Sequence, residues 1–72
     1  MTGPEPVVLW RLRSPRREPA HAAILPGGPP FTLAFFVAHQ LDRLENYDTL
    51  DLATFRADDV KRSLLEDGWT EE

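Results

Sequence analysis

Cysteine is absent from the 72-residue sequence, and its absence excludes several kinds of chemistry. Without a thiol the chain has no disulfide, no thiolate metal site and no cysteine nucleophile. Small secreted domains usually depend on disulfides for stability, so a domain of this size without them is expected in the cytoplasm.

The sequence also lacks a long apolar run. Its longest mostly apolar stretch, residues 31–38, is far shorter than the roughly 20 residues that a membrane-spanning helix needs. Residues 1–6 do not show the positively charged segment and apolar run of a signal peptide. We therefore expect a soluble protein with no membrane partner.

Glycine and proline are almost missing from the second half of the chain. Of seven Pro and four Gly, only Gly68 lies beyond Pro30. Proline removes a backbone donor and favours extended neighbours, so the front half should contain short strands separated by turns. Hydrophobic residues make up 42% of the sequence, which is enough for one small core. The sequence predicts a single α+β domain over residues 1–72, with flexible ends at 1–6 and 70–72.

Three segments of the chain have the composition of strands. β-branched and aromatic residues favour strands, and segments rich in apolar residues occur at 7–13, 19–25 and 31–38. His39-Gln40 is predicted as a two-residue turn into a fourth strand, 41–47, while a helical start near Leu41 is the competing interpretation. The sequence thus predicts an antiparallel meander of three or four strands.

From Thr49 onward the apolar spacing becomes that of a helix. Apolar residues recur at intervals of three and four at Ala53, Ala57, Val60 and Leu64. This predicts one C-terminal helix, from about Leu50 to about Asp67, packed on one face of the sheet. The expected core comprises these four residues together with Val8, Trp10, Leu12, Ile24, Leu33 and Phe35.

Both ends of the predicted helix carry capping residues. Thr49 or Asp51 can accept a hydrogen bond from an unpaired N–H in the first turn. Gly68 is suited to the position after the last turn, because it adopts positive φ without a Cβ clash. Trp69 should then fold back against Leu64.

The strands are apolar on both sides, although one helix can cover only one face of a small sheet. With the helix on the Trp10 and Phe35 side, the other face should present Leu9, Ala23 and Phe36. These residues are the predicted interaction face for a second copy or another protein. The alternative is that loops, the proline-rich segment or a strongly twisted sheet cover this face.

Positive charge is concentrated in the front half, although the net charge of the chain is −4. Residues 1–30 carry +2 and residues 31–72 carry −6. The basic residues Arg11, Arg13, Arg16 and Arg17 are candidate phosphate contacts, so nucleic-acid binding is the alternative function. The element order resembles that of AP2-type and integrase arm-binding domains, which are three-stranded DNA-binding modules, but no motif of theirs is present. The acidic net charge disfavours this alternative.

No pattern in the sequence indicates catalysis or metal binding. His21 and His39 have no second ligand at the i, i+4 spacing of a helical metal site, and Gly27-Gly28 is not followed by the Lys of a phosphate-binding loop. The sequence predicts no catalytic, cofactor-binding or metal-binding residue. The favoured function is a non-enzymatic protein-interaction module that self-associates as a homodimer through an apolar sheet face or edge.

Overall fold

The computed structural model describes residues 5–72 and contains one antiparallel sheet with one helix packed on it. The order along the sheet is β4-β3-β2-β1-β5. The helix therefore carries the chain from one edge of the sheet back to the other. The elements are β1 (Val7–Arg13), β2 (Ala20–Ile24), β3 (Phe31–Val37), β4 (Gln40–Tyr47), α1 (Leu50–Glu66) and β5 (Thr70–Glu71). The predicted α+β fold, a meander followed by a helix on one sheet face, is confirmed.

Residues 40–47 form a strand, so the helical interpretation near Leu41 is wrong. The C-terminal residues, which were expected to be a flexible end at 70–72, carry β5, which pairs with Leu12 and Arg13 of β1. The backbone N–H of Glu72 extends this pairing by donating to the carbonyl of Arg11 at 3.1 Å. Of the expected flexible start at 1–6, residues 1–4 lie outside the described part of the chain, and the next two precede β1 without regular structure.

The core lies between α1 and the sheet. Seven of the ten predicted core residues are buried, namely Trp10, Leu12, Ile24, Leu33, Phe35, Ala53 and Ala57. Val60 and Leu64 border this cluster, and Trp69 is buried within it. The alanines on the helix allow close approach to the sheet, and the indole Nε1–H of Trp10 donates to the Ala57 carbonyl at 2.9 Å. This hydrogen bond ties β1 directly to the middle of α1.

A β-bulge in β1 explains why Val8 is not a core residue. Val8 pairs with Ala23 and Trp10 pairs with Ala22, so Leu9 is an extra residue between two regular pairs. An extra residue reverses the alternation of side chains. Val8 is therefore on the face away from the helix and is 37% exposed, whereas Leu9 packs against the core.

The β3–β4 hairpin turns at Ala38-His39, one residue earlier than predicted, because Val37 pairs with Gln40. Ala38 and His39 have φ of +55° and +66°. Two consecutive positive φ values give the turn a twist that matches the strands, but they are unfavourable for residues other than glycine or asparagine. The register then shifts between Phe35 and Phe36, where a second bulge lies.

The ends of α1 follow the predicted capping. Thr49 is the N-cap, and its Oγ1 accepts from the backbone N–H of Leu52 at 3.2 Å. At the other end Gly68 has φ of +100°, and the N–H of Trp69 donates to the Leu64 carbonyl at 3.1 Å. The Trp69 side chain is only 8% exposed, so it belongs to the core.

We predict that Gly68→Val lowers the free energy of unfolding by roughly 1–2 kcal/mol through the cost of positive φ. A Cβ at this position meets no atom within 4 Å, so the cost is conformational rather than steric crowding by neighbours. Trp69→Ala should cost about 3 kcal/mol or more, because it empties part of the core. Chemical denaturation measures both, and Glu66→Val, at an exposed helical position, is the matched control. Equal stability of Gly68→Val and the parent would contradict the capping role.

We predict that His39→Gly raises the free energy of unfolding by about 1 kcal/mol, because glycine removes the positive-φ strain of the turn. Thermal unfolding should show a higher midpoint for this variant. Gln40→Gly, one residue further at negative φ, is the control and should lower stability by roughly 0.5–1 kcal/mol. A lower midpoint for His39→Gly would show that the side chain matters more than the backbone strain.

Candidate functional site

The sheet surface opposite α1, here called the open face, is the candidate site. The strand register places two rows of facing residues across it: Arg11, His21, Phe36 and Leu41 in one row, and Val8, Ala23, Ala34 and Leu44 in the next. Directly opposed residues in antiparallel strands point to the same side of the sheet, so each row forms a continuous band of side chains.

Two leucines at the β4 edge make this part of the open face apolar. Leu41 is 53% exposed and Leu44 is 48% exposed, and both belong to the edge strand β4. Ala23 and Ala34, although on this side, are nearly fully buried. Within residues 5–72, neither the loops nor the proline-rich segment shields the two leucines. The open face thus keeps large apolar side chains in contact with water.

Of the predicted interaction residues, the structure brings Ala23 and Phe36 together on the open face and separates Leu9 from them. Leu9 lies on the helix side because of the bulge in β1, and it lines a groove there with Thr54. Leu41 and Leu44 were not predicted as interaction residues. In a regular strand, residues three positions apart lie on opposite faces. The bulge in β4 places Leu41 and Leu44 on the same face, which the alternation in the sequence did not predict.

An imidazole lies in the middle of the open face. The ring of His21 stacks on the ring of Phe36, with centroids 4.5 Å apart and planes within 8°. The ring of His39 is 6.1 Å away. Burial lowers the pKa of His21, and the charges of Arg11 and His39 lower it further, while the charge of Glu72 acts in the opposite direction. The stacked ring is therefore favoured in its neutral form.

The helix side of β4 carries a polar cluster around Glu45. Its carboxylate accepts a hydrogen bond from the Tyr47 hydroxyl at 2.7 Å and one from Arg56 Nε of α1 at 3.2 Å. Arg43 Nε lies 3.4 Å from the same carboxylate, and its guanidinium is 5.3 Å from the centre of the Phe35 ring. The Tyr47 hydrogen bond and the two guanidinium groups keep the pKa of Glu45 below its usual value, against an opposing effect of burial. Glu45 thus remains ionised and links β4 to the helix.

The four arginines of the alternative site lie at one end of the sheet. Arg11 and Arg13 are exposed on the open face, and Arg16 and Arg17 are exposed in the turn that follows β1. β5 places Glu71 and Glu72 beside this strand. Acidic residues therefore border the basic group and reduce its potential. Phosphate contact by these arginines stays a prediction.

A second apolar surface, which sequence reasoning missed, lies on the helix side. A groove of about 300 Å³ runs between the start of β1 and the start of α1, where Val7 is 60% exposed and Leu50 is 46% exposed. Phe55, beside it, is 68% exposed. Leu50 and Phe55 lie off the central stripe of the helix, which is the signal in the sequence that points to this surface.

Comparison with protein-family models, with curated proteins and with solved structures found no match. Within residues 5–72, no three His, Asp or Glu side chains lie together in a way that would hold a metal ion. In the same part of the chain no helix combines the length and the apolar content needed to cross a bilayer. The function must therefore be inferred from the surfaces described above.

We predict that acid destabilises the fold through His21. Its pKa is lower in the folded than in the unfolded chain, so its contribution to stability is complete above about pH 6.5 and is lost as the pH falls through the folded-state pKa. The free energy of unfolding between pH 7.5 and pH 5.5 should fall less for His21→Gln than for the parent. His39→Gln should reduce the fall by a smaller amount, because the charge of His39 is only one of the causes that lower the pKa of His21. An unchanged pH dependence in His21→Gln would contradict this assignment.

Proposed function

We propose that this chain is a non-enzymatic interaction module that binds a second copy of itself through the sheet around β3 and β4. The observation that carries the proposal is the exposure of Leu41 and Leu44 on the open face, next to Phe36. Such contiguous apolar surface in a small protein is typical of an interaction site. The absence of cysteine supports a cytoplasmic setting for this interaction.

The size of the chain supports self-association in particular. A domain of this length buries only roughly 60% of the surface that its unfolded chain exposes, so its own core gives limited stability. Binding a second copy stabilises the folded state by mass action. Symmetric pairs are also the commonest assemblies of soluble proteins, and they use the same patch on both copies.

The energetics indicate a weak complex. Complete burial of a leucine is worth roughly 1.5–3 kcal/mol, so a half-exposed leucine contributes about 1 kcal/mol when a partner covers it. Leu41 and Leu44 from two copies would together contribute roughly 4 kcal/mol, which is at the low end of the cost of association. We expect a weak complex, because these apolar contacts only offset the cost of association, and a dissociation constant of about 10 μM to 1 mM needs further contacts worth roughly 4–7 kcal/mol.

We predict that Leu44→Ser weakens self-association at least several-fold, because it removes an apolar contact from each copy. Sedimentation equilibrium between roughly 10 μM and 1 mM, the range set by this affinity, measures the dimer fraction. Leu52→Ser is the matched control, since Leu52 is 52% exposed on α1, away from the open face. It should leave the association unchanged.

Two results would overturn the proposal. One is a parent protein that stays monomeric over the whole concentration range. The other is an equal effect of Leu44→Ser and Leu52→Ser, which would indicate non-specific hydrophobic association rather than a defined surface.

A further inference from the structure

We propose that the second copy pairs with β4 edge to edge, about a two-fold axis that passes beside Leu44, so that the two sheets become one ten-stranded sheet. This inference rests on the proposed self-association and names its geometry. The docking surface is the outer edge of β4. It pairs with β4 of an identical chain, and the two β4 strands run antiparallel.

In the described part of the chain, β4 has no strand on its outer edge. β4 is the terminal strand of the sheet and has eight residues, Gln40–Tyr47, with β3 on one side only. In an antiparallel ladder every second residue directs its N–H and C=O groups to the same side. Within residues 5–72 no element covers these outward-pointing groups of β4. They are therefore available to a further strand.

Side-chain alternation limits the registers that a second copy can adopt. In one continuous sheet, residues that face each other across the two β4 strands must point to the same side. A two-fold axis perpendicular to the sheet meets this condition only when a residue on the axis faces the same residue of the other copy. Arg43 and Glu45 point to the helix side, because they face Phe35 and Leu33. Leu44 points to the open face, because it faces Ala34.

Among the central registers, with the axis at Arg43, Leu44 or Glu45, the charges of β4 favour the one at Leu44. An axis at Arg43 or at Glu45 would place two like charges directly opposite each other, which is unfavourable. An axis at Leu44 places Arg43 of each copy opposite Glu45 of the other, and it brings the two leucines together on the open face. The strand is therefore complementary to itself in this register, with two ion pairs around one apolar contact.

The contacts of Arg43 and Glu45 within one chain are compatible with this register. The Glu45 carboxylate is already oriented by Tyr47 and Arg56, so it loses little freedom on binding. The Arg43 side chain is 53% exposed and uses only Nε in its contact with Glu45 of its own chain. A guanidinium group has five N–H donors, so Arg43 keeps donors for a second carboxylate.

The geometry also limits the assembly to two copies. The bulge between Leu41 and Arg43 ends the regular part of β4, so the new ladder is short. The opposite edge of the sheet has a different composition, with β5 paired to only two residues of β1. The contact is thus of the symmetric kind that closes after one copy has bound.

Charge reversal tests the register. Arg43→Glu and Glu45→Arg each place like charges opposite each other in the homodimer, so each should weaken self-association by roughly tenfold or more in sedimentation equilibrium. An equimolar mixture of the two variants should associate, because each Glu then faces an Arg. The double variant R43E/E45R should also regain self-association. Thermal unfolding of each variant checks that the fold is intact.

Cross-linking gives a second test that does not depend on charge. The chain has no cysteine, so Leu44→Cys introduces a single thiol. Residues that face each other in an antiparallel pair have Cα atoms about 4.5–5.5 Å apart, within the range that a disulfide spans. Mild oxidation should yield a covalent dimer from Leu44→Cys and not from the control Leu52→Cys.

The outcomes separate this inference from the proposed function. A parent protein that is monomeric at all concentrations overturns both. A dimer that tolerates the charge reversals, gains nothing from mixing the two variants, and forms no disulfide in Leu44→Cys overturns the β4 register while self-association stands. Loss of association in each single variant, with recovery in the mixture, supports the register.

Discussion

The hydrogen bond from the Trp10 indole to the Ala57 carbonyl is the interaction on which the arrangement of the layers depends. It is buried, it joins the first strand to the middle of the helix, and a buried indole N–H needs such a partner. Ala53 and Ala57 leave space for the ring and let the helix lie close to the sheet. Once Trp10 is on the helix side, the sheet face that carries Phe36 must be the uncovered one.

The uncovered face and the terminal edge meet at β4, which concentrates the proposed interaction surface at one side of the molecule. Leu41 and Leu44 belong both to the open face and to the terminal strand. The cluster around Glu45 holds this strand to α1 from the other side. An edge strand that is held in place in this way presents a rigid template, so binding does not require the strand to be ordered first.

Local signals in the sequence predicted the elements and the ends of the helix well. Thr49, Gly68 and the spacing of Ala53, Ala57, Val60 and Leu64 act within a few residues, and the structure follows them. The features that were missed depend on contacts between distant segments. The bulge at Leu9, the bulge in β4 and the short strand β5 leave no local pattern, because each is determined by the strand beside it. For this reason the candidate site contains Leu41 and Leu44 and does not contain Leu9.

The pairing of β5 with β1 has a consequence for the order of folding. It joins Leu12 to Glu71, near opposite ends of the chain, while every other strand pair is formed by neighbours in sequence. Closing so long a loop costs entropy, and this cost falls once α1 has docked, because the helix returns the chain to β1. The meander and helix can therefore form while the last residues are still unstructured. β5 would then be the last strand to join the sheet.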